Sequence, residues 1–412
     1  MKADRCKGFK DLNPDDMRRF RLVEDTFRER CSRWGYREVR TPTLEYHYLF
    51  TSVGTLTPSM LKRVYSFLDW DGWSGERVVL KPDGTIPVAR MYIENMAQQQ
   101  ITRLFYVTNI FIFDETGKKS RERWQCCAEL VGANSAMADA ELIALAMDVL
   151  RGLGIKDIRL NVSHAGLIKV LLAKLELSQN EQDRIFEQLL NGNREALMKI
   201  KPDKPELVSA VTLLLDMKGK SSGFLKNVKA LLSGQMPEID ACIDNFAAVC
   251  QLIENSGCQY RIDLASGKGF EYYTGIIFRL FSGEQNIGGG GRYDALIPLM
   301  GGGKDTPAAG FALYMDKLME LAKQDTKALP TAKKVSVCVS PGAEIAALAV
   351  AAKIREAGYT AELALGEEMA ADCSWLLKVQ EKGPRFVLTV LADGRESAAE
   401  SDGELIALLG CG

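Results

Sequence analysis

Residues 104–132 read LFYVTNIFIFDETGKKSRERWQCCAELVG and carry the clearest structural pattern in the chain. Two apolar, β-prone runs, 104–113 and 124–131, flank a polar tract that contains a glycine. This pattern predicts an antiparallel hairpin. On the return strand Gln125 and Glu129 are four residues apart. They therefore share one face of the strand, because strand side chains alternate with a period of two.

Glu129 is the polar residue of this hairpin that most needs an explanation. Its neighbours Cys127, Ala128, Leu130 and Val131 are apolar, so we expect its carboxylate to be buried. A buried carboxylate requires a partner. Either the partner belongs to the fold, as an internal hydrogen bond, or it is the donor group of a bound ligand. The hairpin alone favours the first of these interpretations.

Length, charge and cysteine usage exclude several classes of protein. The 412 residues are enough for two or three domains. A net charge of −2 and a pI of about 6.0 give no electrostatic basis for non-specific binding of nucleic acid. The apolar runs are too short to span a bilayer, and residues 1–10 lack the apolar region of a signal peptide, so we expect a cytoplasmic protein. Ten cysteines without a C-x-x-C pair and two histidines predict reduced thiols and no metal site.

Helical periodicity and the positions of proline and glycine divide the rest of the chain. Residues 18–34 have apolar side chains at helical spacing, and residues 37–42 predict a strand that is closed by a proline. Residues 165–257 are almost entirely helical in pattern, which indicates an inserted module. From residue 335 the pattern is strand, helix, strand, helix, strand, which is typical of a small α/β domain. The second helix of that domain is predicted over residues 369–379.

A run of four glycines occupies positions 288–291. It is not a phosphate-binding P-loop, because no G-x-x-x-x-G-K-[ST] pattern occurs in the chain. Consecutive glycines permit either a close approach of the backbone to a ligand or an unusual turn. From the glycines alone, a ligand contact and a tight turn between strands are equally supported.

Together these segments resemble histidyl-tRNA synthetase and its non-synthetase relative, the regulatory subunit of ATP phosphoribosyltransferase. The similarity spans nearly the whole chain, and the matching segments follow the family's order. Each match is weak evidence alone, but their common order makes the combined signal strong. The segments are the N-terminal turn at 8–14, class II motif 1 at 34–42, a P-E-G-T-like segment at 81–90, motif 2 at 104–132, the histidine-specific segment at 269–278, the G-G-G-R-Y-D run at 289–294 and motif 3 at 310–318.

The resemblance implies an α+β fold with a class II aminoacyl-tRNA synthetase-like antiparallel sheet as its core. It implies that residues 1–165 and 258–323 form this core, and that a helical insertion at 166–257 interrupts it. A linker at 324–334 then leads to a small C-terminal α/β domain, 335–412, which resembles an anticodon-binding domain.

Several positions depart from the synthetase in ways that remove its ATP site. Ile112 stands where motif 2 has the arginine that holds the α-phosphate and the substrate carboxylate. Lys317 replaces the motif 3 arginine that clamps the γ-phosphate, and Lys268 replaces an arginine of the histidine-specific segment. Arg123 occupies the position of the aromatic side chain that stacks on adenine. Tyr314 places a bulky ring where motif 3 has a glycine.

These changes predict that the chain does not catalyse amino-acid activation. Removing one donor to a developing charge typically costs about a hundred- to a thousandfold in rate. Isoleucine supplies no donor, and lysine lacks the planar fork of arginine. We therefore expect no catalytic residue and no cofactor in this chain.

The side chains that receive histidine in the synthetase are better preserved. A carboxylate pairs with an ammonium, and a carboxylate together with a phenol suits a ring that carries two nitrogens. The resemblance implies that the chain still binds free histidine. The implied ammonium ligands are Asp83, Thr85 and Gln125, and the implied imidazole ligands are Glu129, Tyr272 and Tyr273.

The C-terminal segment has a charge balance that disfavours tRNA. From residue 335 onward it carries six basic and twelve acidic side chains, a net charge of −6. Phosphate contacts dominate the affinity of proteins for nucleic acids. We therefore expect this segment to bind tRNA poorly.

The resemblance favours a non-catalytic regulatory subunit of ATP phosphoribosyltransferase, in the first step of histidine biosynthesis. Such a chain would bind the short-form catalytic subunit in a hetero-oligomer, activate it and carry feedback inhibition by histidine. The likeness to motif 1 also implies a homodimer through the helix at 18–34 and the strand near Pro42. Two alternatives remain: a divergent histidyl-tRNA synthetase, which would turn over ATP, and a synthetase-like amino-acid sensor with another partner.

Overall fold

In the computed structural model the chain forms two compact units, Met1–Lys323 and Gln324–Gly412. The second unit begins at the predicted linker, while the finer domain boundaries, including those of the insertion at 166–257, stay a prediction. The structure describes residues 4–52, 63–70, 75–116, 119–173, 218–232, 239–263, 273–303, 305–322, 333–365 and 373–410, with seven further residues between 177 and 188.

A mainly antiparallel sheet forms the centre of the first unit. The described strands of this unit are, in chain order, β1 (Arg37–Glu38), β2 (Leu44–Tyr46), β3 (Ser66–Asp69), β4 (Glu76–Leu80), β5 (Thr102–Phe111), β6 (Glu122–Val131), β7 (Ile158–His164), β8 (Lys218–Gly219), β9 (Tyr260–Asp263), β10 (Ile276–Ser282), β11 (Gln285–Arg292) and β12 (Ala308–Tyr314). Nine of them pair in the order β1-β5-β6-β12-β11-β10-β7-β9-β8, and a separate small sheet has the order β2-β4-β3. The predicted α+β class with an antiparallel core sheet is confirmed.

The predicted hairpin is formed by β5 and β6, whose ends lie within two residues of the predicted runs. Thr108 lies opposite Gln125, and Leu104 lies opposite Glu129. The strand predicted at 37–42 is much shorter, because β1 pairs with β5 through only two residues at the edge of the sheet.

Helices cover the sheet. The described helices of the first unit are α1 (Pro14–Arg33), α2 (His47–Thr51), α3 (Thr85–Asn95), α4 (Ala136–Gly152), α5 (Ala165–Ala173), α6 (Ser222–Leu232), α7 (Asp240–Asn255), α8 (Leu296–Leu299) and α9 (Met315–Leu321). Helix α1 begins four residues before its predicted start, because Asn13 and Asp16 form a reciprocal capping box with a proline in the first turn.

Successive side chains along β5 point to opposite faces of the sheet. Phe105 points to one face of the sheet, where its ring lies edge-on to Phe27 of α1 with centroids 5.9 Å apart. Tyr106 points to the other face and lies in an apolar cluster with Val88 of α3. Glu129 shares the face of Tyr106, so it lies between the sheet and α3.

The four consecutive glycines lie inside β11, which pairs with β10 on one side and with β12 on the other. The interpretation of this run as a tight turn is therefore wrong. The neighbouring backbones explain the composition, since a Cβ on Gly290 would lie 2.1 Å from the carbonyl oxygen of Gly310. Only glycine fits at this position without movement of the strands.

The second unit has its own five-stranded sheet and core. Its described elements are β13 (Lys334–Val339), α10 (Glu344–Glu356), β14 (Thr360–Leu363), β15 (Trp375–Val379), β16 (Phe386–Val390), β17 (Glu396–Ala399) and α11 (Asp402–Gly410), and its strands pair in the order β14-β13-β15-β16-β17.

The helix predicted at 369–379 is wrong at its C-terminal end, while residues 366–372 lie outside the described part of the chain. Residues 375–379 form β15, a central strand in which Trp375, Leu377 and Val379 are buried in alternation. A short apolar run does not by itself distinguish a buried strand from a helix. None of the helices that the structure describes is long and apolar enough to cross a membrane.

Candidate functional site

Glu129 is at the centre of a polar cluster between β6 and α3, with only 2% of its surface exposed. Its Oε1 accepts hydrogen bonds from the hydroxyls of Tyr106 at 2.7 Å and Thr85 at 2.9 Å. Its Oε2 accepts a hydrogen bond from the hydroxyl of Tyr293. The expected burial of this carboxylate is confirmed, and its hydrogen bonds here come from within the fold. All three of these donors are neutral hydroxyls.

Burial raises the pKa of Glu129 to about 7. The hydrogen bonds from Tyr293, Tyr106 and Thr85 lower it, and the nearby Asp83 raises it further. Because the carboxylate titrates close to neutral pH, a cationic group placed beside it would favour its ionised form. The site is therefore electrostatically suited to a positively charged ligand group.

Tyr293 is held in place by a buried ion pair next to it in the chain. Arg292 is 4% exposed, and its Nε donates to Oδ1 of Asp139 at 2.9 Å. Its Nη1 donates to Oδ1 of Asp294 at 3.0 Å, and that oxygen also accepts the backbone N–H of Ala308 at 3.0 Å. This network fixes the end of β11, and with it the position of the Tyr293 hydroxyl.

Asp83 and Thr85 lie at the N-terminal end of α3. Oδ1 of Asp83 accepts the backbone N–H of Ile86, in the first turn of the helix, at 2.9 Å. Burial raises the pKa of Asp83, while the backbone N–H groups of the first turn and the ammonium of Lys81 lower it. Thr85 bonds Glu129, as described above. The structure thus brings three predicted histidine ligands, Asp83, Thr85 and Glu129, together.

Gln125 and Tyr273 extend the same cluster. Gln125 is 9% exposed, and its Oε1 lies 3.9 Å from the thiol of Cys127, which donates to it. Tyr273 is 6% exposed, and burial raises its pKa, with Glu129 among the charges that raise it further. Tyr272, the other predicted imidazole ligand, lies outside the described residues. We call Asp83, Thr85, Gln125, Glu129 and Tyr273 the Glu129 site.

Two glycines make room for this site. A Cβ on Gly310 of β12 would lie 1.6 Å from Oε2 of Glu129. A Cβ on Gly291 of β11 would lie 3.0 Å from the ring of Tyr273. The backbone of these two strands therefore forms the floor beneath the polar side chains.

The positions that differ from the synthetase are occupied by side chains with other partners. Ile112 continues the hairpin through its backbone N–H, which donates to the carbonyl of Arg121 at 2.9 Å. Nε of Arg123 donates to the carbonyl of Ser120 at 3.2 Å. The ammonium of Lys317 lies 3.2 Å from Glu320 near the surface of α9. Lys268 lies outside the described residues.

Tyr314 ends β12 directly opposite Gln125. Burial raises the pKa of its hydroxyl, and the charges of Arg279 and Arg123 lower it. Two guanidinium groups therefore act on the hydroxyl of this residue, which stands at the place where the synthetase motif has a glycine. A bulky ring at this position reduces the space next to Gln125.

Tyr106, Tyr293 and Arg279 are polar side chains of this region that sequence reasoning missed. Tyr106 faces Glu129 only because of the register of the hairpin, in which it lies opposite Cys127. Tyr293 was part of a recognised motif, G-G-G-R-Y-D, but the motif did not reveal which side chain contacts Glu129. Arg279 carried no signal in the sequence.

The donor set of the site does not favour a metal. Among the described residues, no group of three or more His, Cys, Asp and Glu side chains is arranged to hold a metal ion. Hydroxyls, one amide and two separate carboxylates instead suit hydrogen bonding to an organic cation.

Comparisons with known proteins identify the family of this chain. The histidyl-tRNA synthetase family model matches residues 8–318. A protein of Dehalococcoides mccartyi named ATP phosphoribosyltransferase regulatory subunit is 48% identical over 405 residues, which cover 98% of each chain. A histidine–tRNA ligase of Archaeoglobus fulgidus is 31% identical over 371 residues, 88% of this chain and 85% of the ligase.

Solved structures show the same fold. A regulatory subunit/histidyl-tRNA synthetase from Bacillus halodurans has a TM-score of 0.75 at 24% identity, covering 90% of this chain and 95% of that one. The histidyl-tRNA synthetase of Nostoc sp. PCC 7120 has a TM-score of 0.75 at 19% identity and covers 100% of this chain and 99% of its own. The identity to the Dehalococcoides protein over almost the full length is decisive. The chain belongs to the ATP phosphoribosyltransferase regulatory subunits, a branch of the histidyl-tRNA synthetase family.

Proposed function

We propose that this chain is a non-catalytic subunit that regulates ATP phosphoribosyltransferase and senses free histidine. The observation that carries the proposal is a contrast between the Glu129 site and the positions next to it. The polar groups suited to an amino acid surround Glu129, whereas the neighbouring ATP-site positions hold Ile112 and Tyr314.

Histidine matches the charges of the Glu129 site. Glu129 and Asp83 are two carboxylates whose pKa values are both raised by burial. An ammonium beside Asp83 would favour the ionised form of that carboxylate, because an opposite charge at close range stabilises the charged state. Glu129 and the phenol of Tyr273 are then left to face the two nitrogens of the imidazole. Gln125 completes the set with an amide that both donates and accepts.

ATP does not match the same face. The synthetase uses an arginine at the position of Ile112 to hold phosphate and carboxylate oxygens, and isoleucine has no donor for either. Lys317 is paired with Glu320. The ring of Tyr314 stands where a glycine would leave room. A face that accepts the amino acid but not the nucleotide suits a sensor and not an adenylating enzyme.

A sensor needs an output, and a partner subunit is the simplest one. We propose that the partner is the short-form catalytic subunit of ATP phosphoribosyltransferase and that the complex, built on a homodimer of this chain, works in the cytoplasm. If histidine inhibits the complex through this chain, binding of histidine and the active state must disfavour each other by equal free energies. Couplings of about 1–3 kcal/mol are ordinary for such switches.

The test combines the purified chain with the catalytic subunit of the same organism and follows formation of phosphoribosyl-ATP with and without histidine. The native chain is expected to raise the rate, and histidine to lower it again. The Glu129→Gln chain should still raise the rate but require about ten- to a hundredfold more histidine, because a hydrogen bond to a charged group is lost.

Glu122→Gln is the matched control. Glu122 lies on the same strand, but it is an odd number of positions from Glu129, so it faces the opposite side of the sheet. There it accepts a hydrogen bond from Asn109 at 2.8 Å. This variant should respond to histidine as the native chain does. A rate that is the same with and without the chain would overturn the proposal. Activation without sensitivity to histidine would support the proposed partner but contradict the proposed role as a histidine sensor.

One further measurement separates this proposal from a divergent synthetase. Histidine-dependent exchange of pyrophosphate with ATP is expected to be at least about a hundredfold slower than in an authentic synthetase, since one lost donor already costs that much. Exchange close to the authentic rate would favour the synthetase instead.

A further inference from the structure

Arg279 lies on the same face of the sheet as the Glu129 site, on the far side of the glycine floor. Arg279 is paired with Gly289 of β11. Gly289 is paired with Ala312 of β12, and Ala312 is paired with Cys127 of β6. Side chains at directly paired positions point to the same face. The aliphatic part of the Arg279 side chain accordingly passes over Gly289. A Cβ added to Gly289 would lie 3.5 Å from the Cγ of Arg279.

The guanidinium of Arg279 is short of partners. Its Nη2 is buried and has no hydrogen-bond partner in the structure described. Burial lowers the pKa of Arg279, and Tyr314, Tyr273 and then Asp263 raise it. Arginine nevertheless stays protonated in proteins. The chain therefore keeps a positive charge, partly withdrawn from water, at the edge of the Glu129 site.

The two phenols do not neutralise this charge at neutral pH. Burial raises the pKa of both Tyr273 and Tyr314, so both hydroxyls stay protonated. Arg292, at the end of β11, differs from Arg279 in having ion pairs with Asp139 and Asp294. A buried cation without such a partner is costly. Asp263 is the one carboxylate among the groups that raise the pKa of Arg279, and its effect is smaller than that of either phenol. The guanidinium can therefore still accept an anionic group from a ligand.

We propose that Arg279 receives the α-carboxylate of the amino acid bound at the Glu129 site. This rests on the proposed function and takes it further. It assigns to a residue of β10 the carboxylate contact that the synthetase makes with an arginine at the position of Ile112.

The arrangement of the strands supports this assignment. Three inter-strand spacings separate β6 from β10, roughly 14 Å in all. Glu129 reaches over the floor from one side and Arg279 from the other. An amino acid whose imidazole and ammonium are held on the β6 side would direct its carboxylate across Gly289 and Ala312, toward the guanidinium.

The test compares L-histidine with histamine, which has the same imidazole and ammonium but no carboxylate. Calorimetric titrations would use the native chain, Arg279→Met and, as a control, Arg261→Met, which removes an exposed arginine from β9. We expect Arg279→Met to bind histidine about ten- to a hundredfold more weakly while its affinity for histamine is unchanged. Arg261→Met should bind both ligands as the native chain does.

Thermal unfolding without ligand distinguishes a binding role from a structural one. An apolar side chain of similar volume in place of an unpaired buried charge is often neutral or stabilising. The unliganded Arg279→Met chain should therefore melt at or above the native temperature. A lower melting temperature would assign Arg279 to the fold and overturn the proposal.

The other outcomes are equally distinct. Unchanged affinity for histidine, or equal losses for histidine and histamine, would overturn the carboxylate contact and leave the sensor intact. A native chain that binds neither ligand at millimolar concentration would overturn the proposed histidine sensor together with this contact.

Discussion

Glu129 is a residue whose titration should be visible in the stability of the whole protein. Burial raises its pKa from 4.5 to about 7, so the native state binds its proton more tightly than the unfolded chain does. The protonated carboxyl of Glu129 therefore contributes fully to stability below about pH 4.5, and this contribution is lost as the pH rises through 7. The titration of His164 changes stability with pH in the opposite direction, because burial lowers the pKa of His164 to about 4.

A difference between variants isolates Glu129 from His164. Glu129→Gln removes the titrating group but keeps a polar side chain, while His164 is present in both proteins. We expect the melting temperature of the native chain to fall more steeply between pH 5 and pH 8 than that of Glu129→Gln. The control Glu122→Gln should keep the native slope. Parallel curves for all three proteins would show that Glu129 is ionised to the same extent in the folded and unfolded chain.

The strand pattern and the family resemblance predicted which residues lie in this cluster, but not all of their partners. A period of two was enough to place Gln125 and Glu129 on one face, and apolar neighbours were enough to predict burial. The hydroxyls of Tyr106 and Tyr293 could not be assigned in this way. Their contacts depend on the register of β5 and on the course of the chain after β11, which no local pattern fixes.

At the scale of elements, β11 and β12 are the strands on which the site depends. Their glycines lie directly beneath Glu129 and Tyr273, and the paired backbones leave no space for side chains. From the sequence the glycine run supported a ligand contact and a turn equally. Only the pairing on both sides of β11 decides against the turn.

Gly310→Ala tests the floor beneath the site. Its Cβ would lie 1.6 Å from Oε2 of Glu129 and 2.7 Å from the carbonyl oxygen of Ala128, so the carboxylate must move. We expect a loss of stability of about 1–3 kcal/mol, which is typical of overpacking, and weaker binding of histidine in calorimetry. Gly403→Ala is the control, because a Cβ there meets nothing within 4 Å. Native affinity in Gly310→Ala would mean that Glu129 does not contact the ligand.

The second unit shows where local patterns fail. The order of strand, helix and strand over 335–365 followed from alternation and helical spacing, and the structure agrees. The sequence over 369–379 was assigned to a helix, although a short apolar run fits a buried strand equally well. Its burial between β13 and β16 is a property of the sheet, not of the segment.

At the scale of the whole molecule, the apolar stripe of α1 no longer supports a dimer through that helix. Phe20, Val23, Phe27 and Cys31 are all buried within the chain itself. The small sheet β2-β4-β3 offers a better surface. Leu44, Tyr46 and Phe67 are each 45% exposed, and Tyr46 and Phe67 pair with the same residue of β4 and so share a face.

This apolar face lies next to the strand near Pro42 that the motif 1 resemblance places at a dimer interface. Clustered exposed apolar side chains are a mark of interaction surfaces, whereas isolated ones are ordinary. We therefore propose a second copy of this chain as the occupant of the face, and expect the native protein to be a dimer at micromolar concentrations.

Phe67→Glu should weaken this dimer strongly. Truncating a central aromatic residue of an interface often costs about 2 kcal/mol or more, and a charge in its place adds a desolvation cost. Light scattering over a concentration series should show a dissociation constant raised by about thirtyfold or more. The control is Ile345→Glu, because Ile345 is 86% exposed in the second unit and stands outside the small sheet. A dimer that withstands Phe67→Glu would place the interface elsewhere, and a native chain that stays monomeric at tens of micromolar would contradict the homodimer.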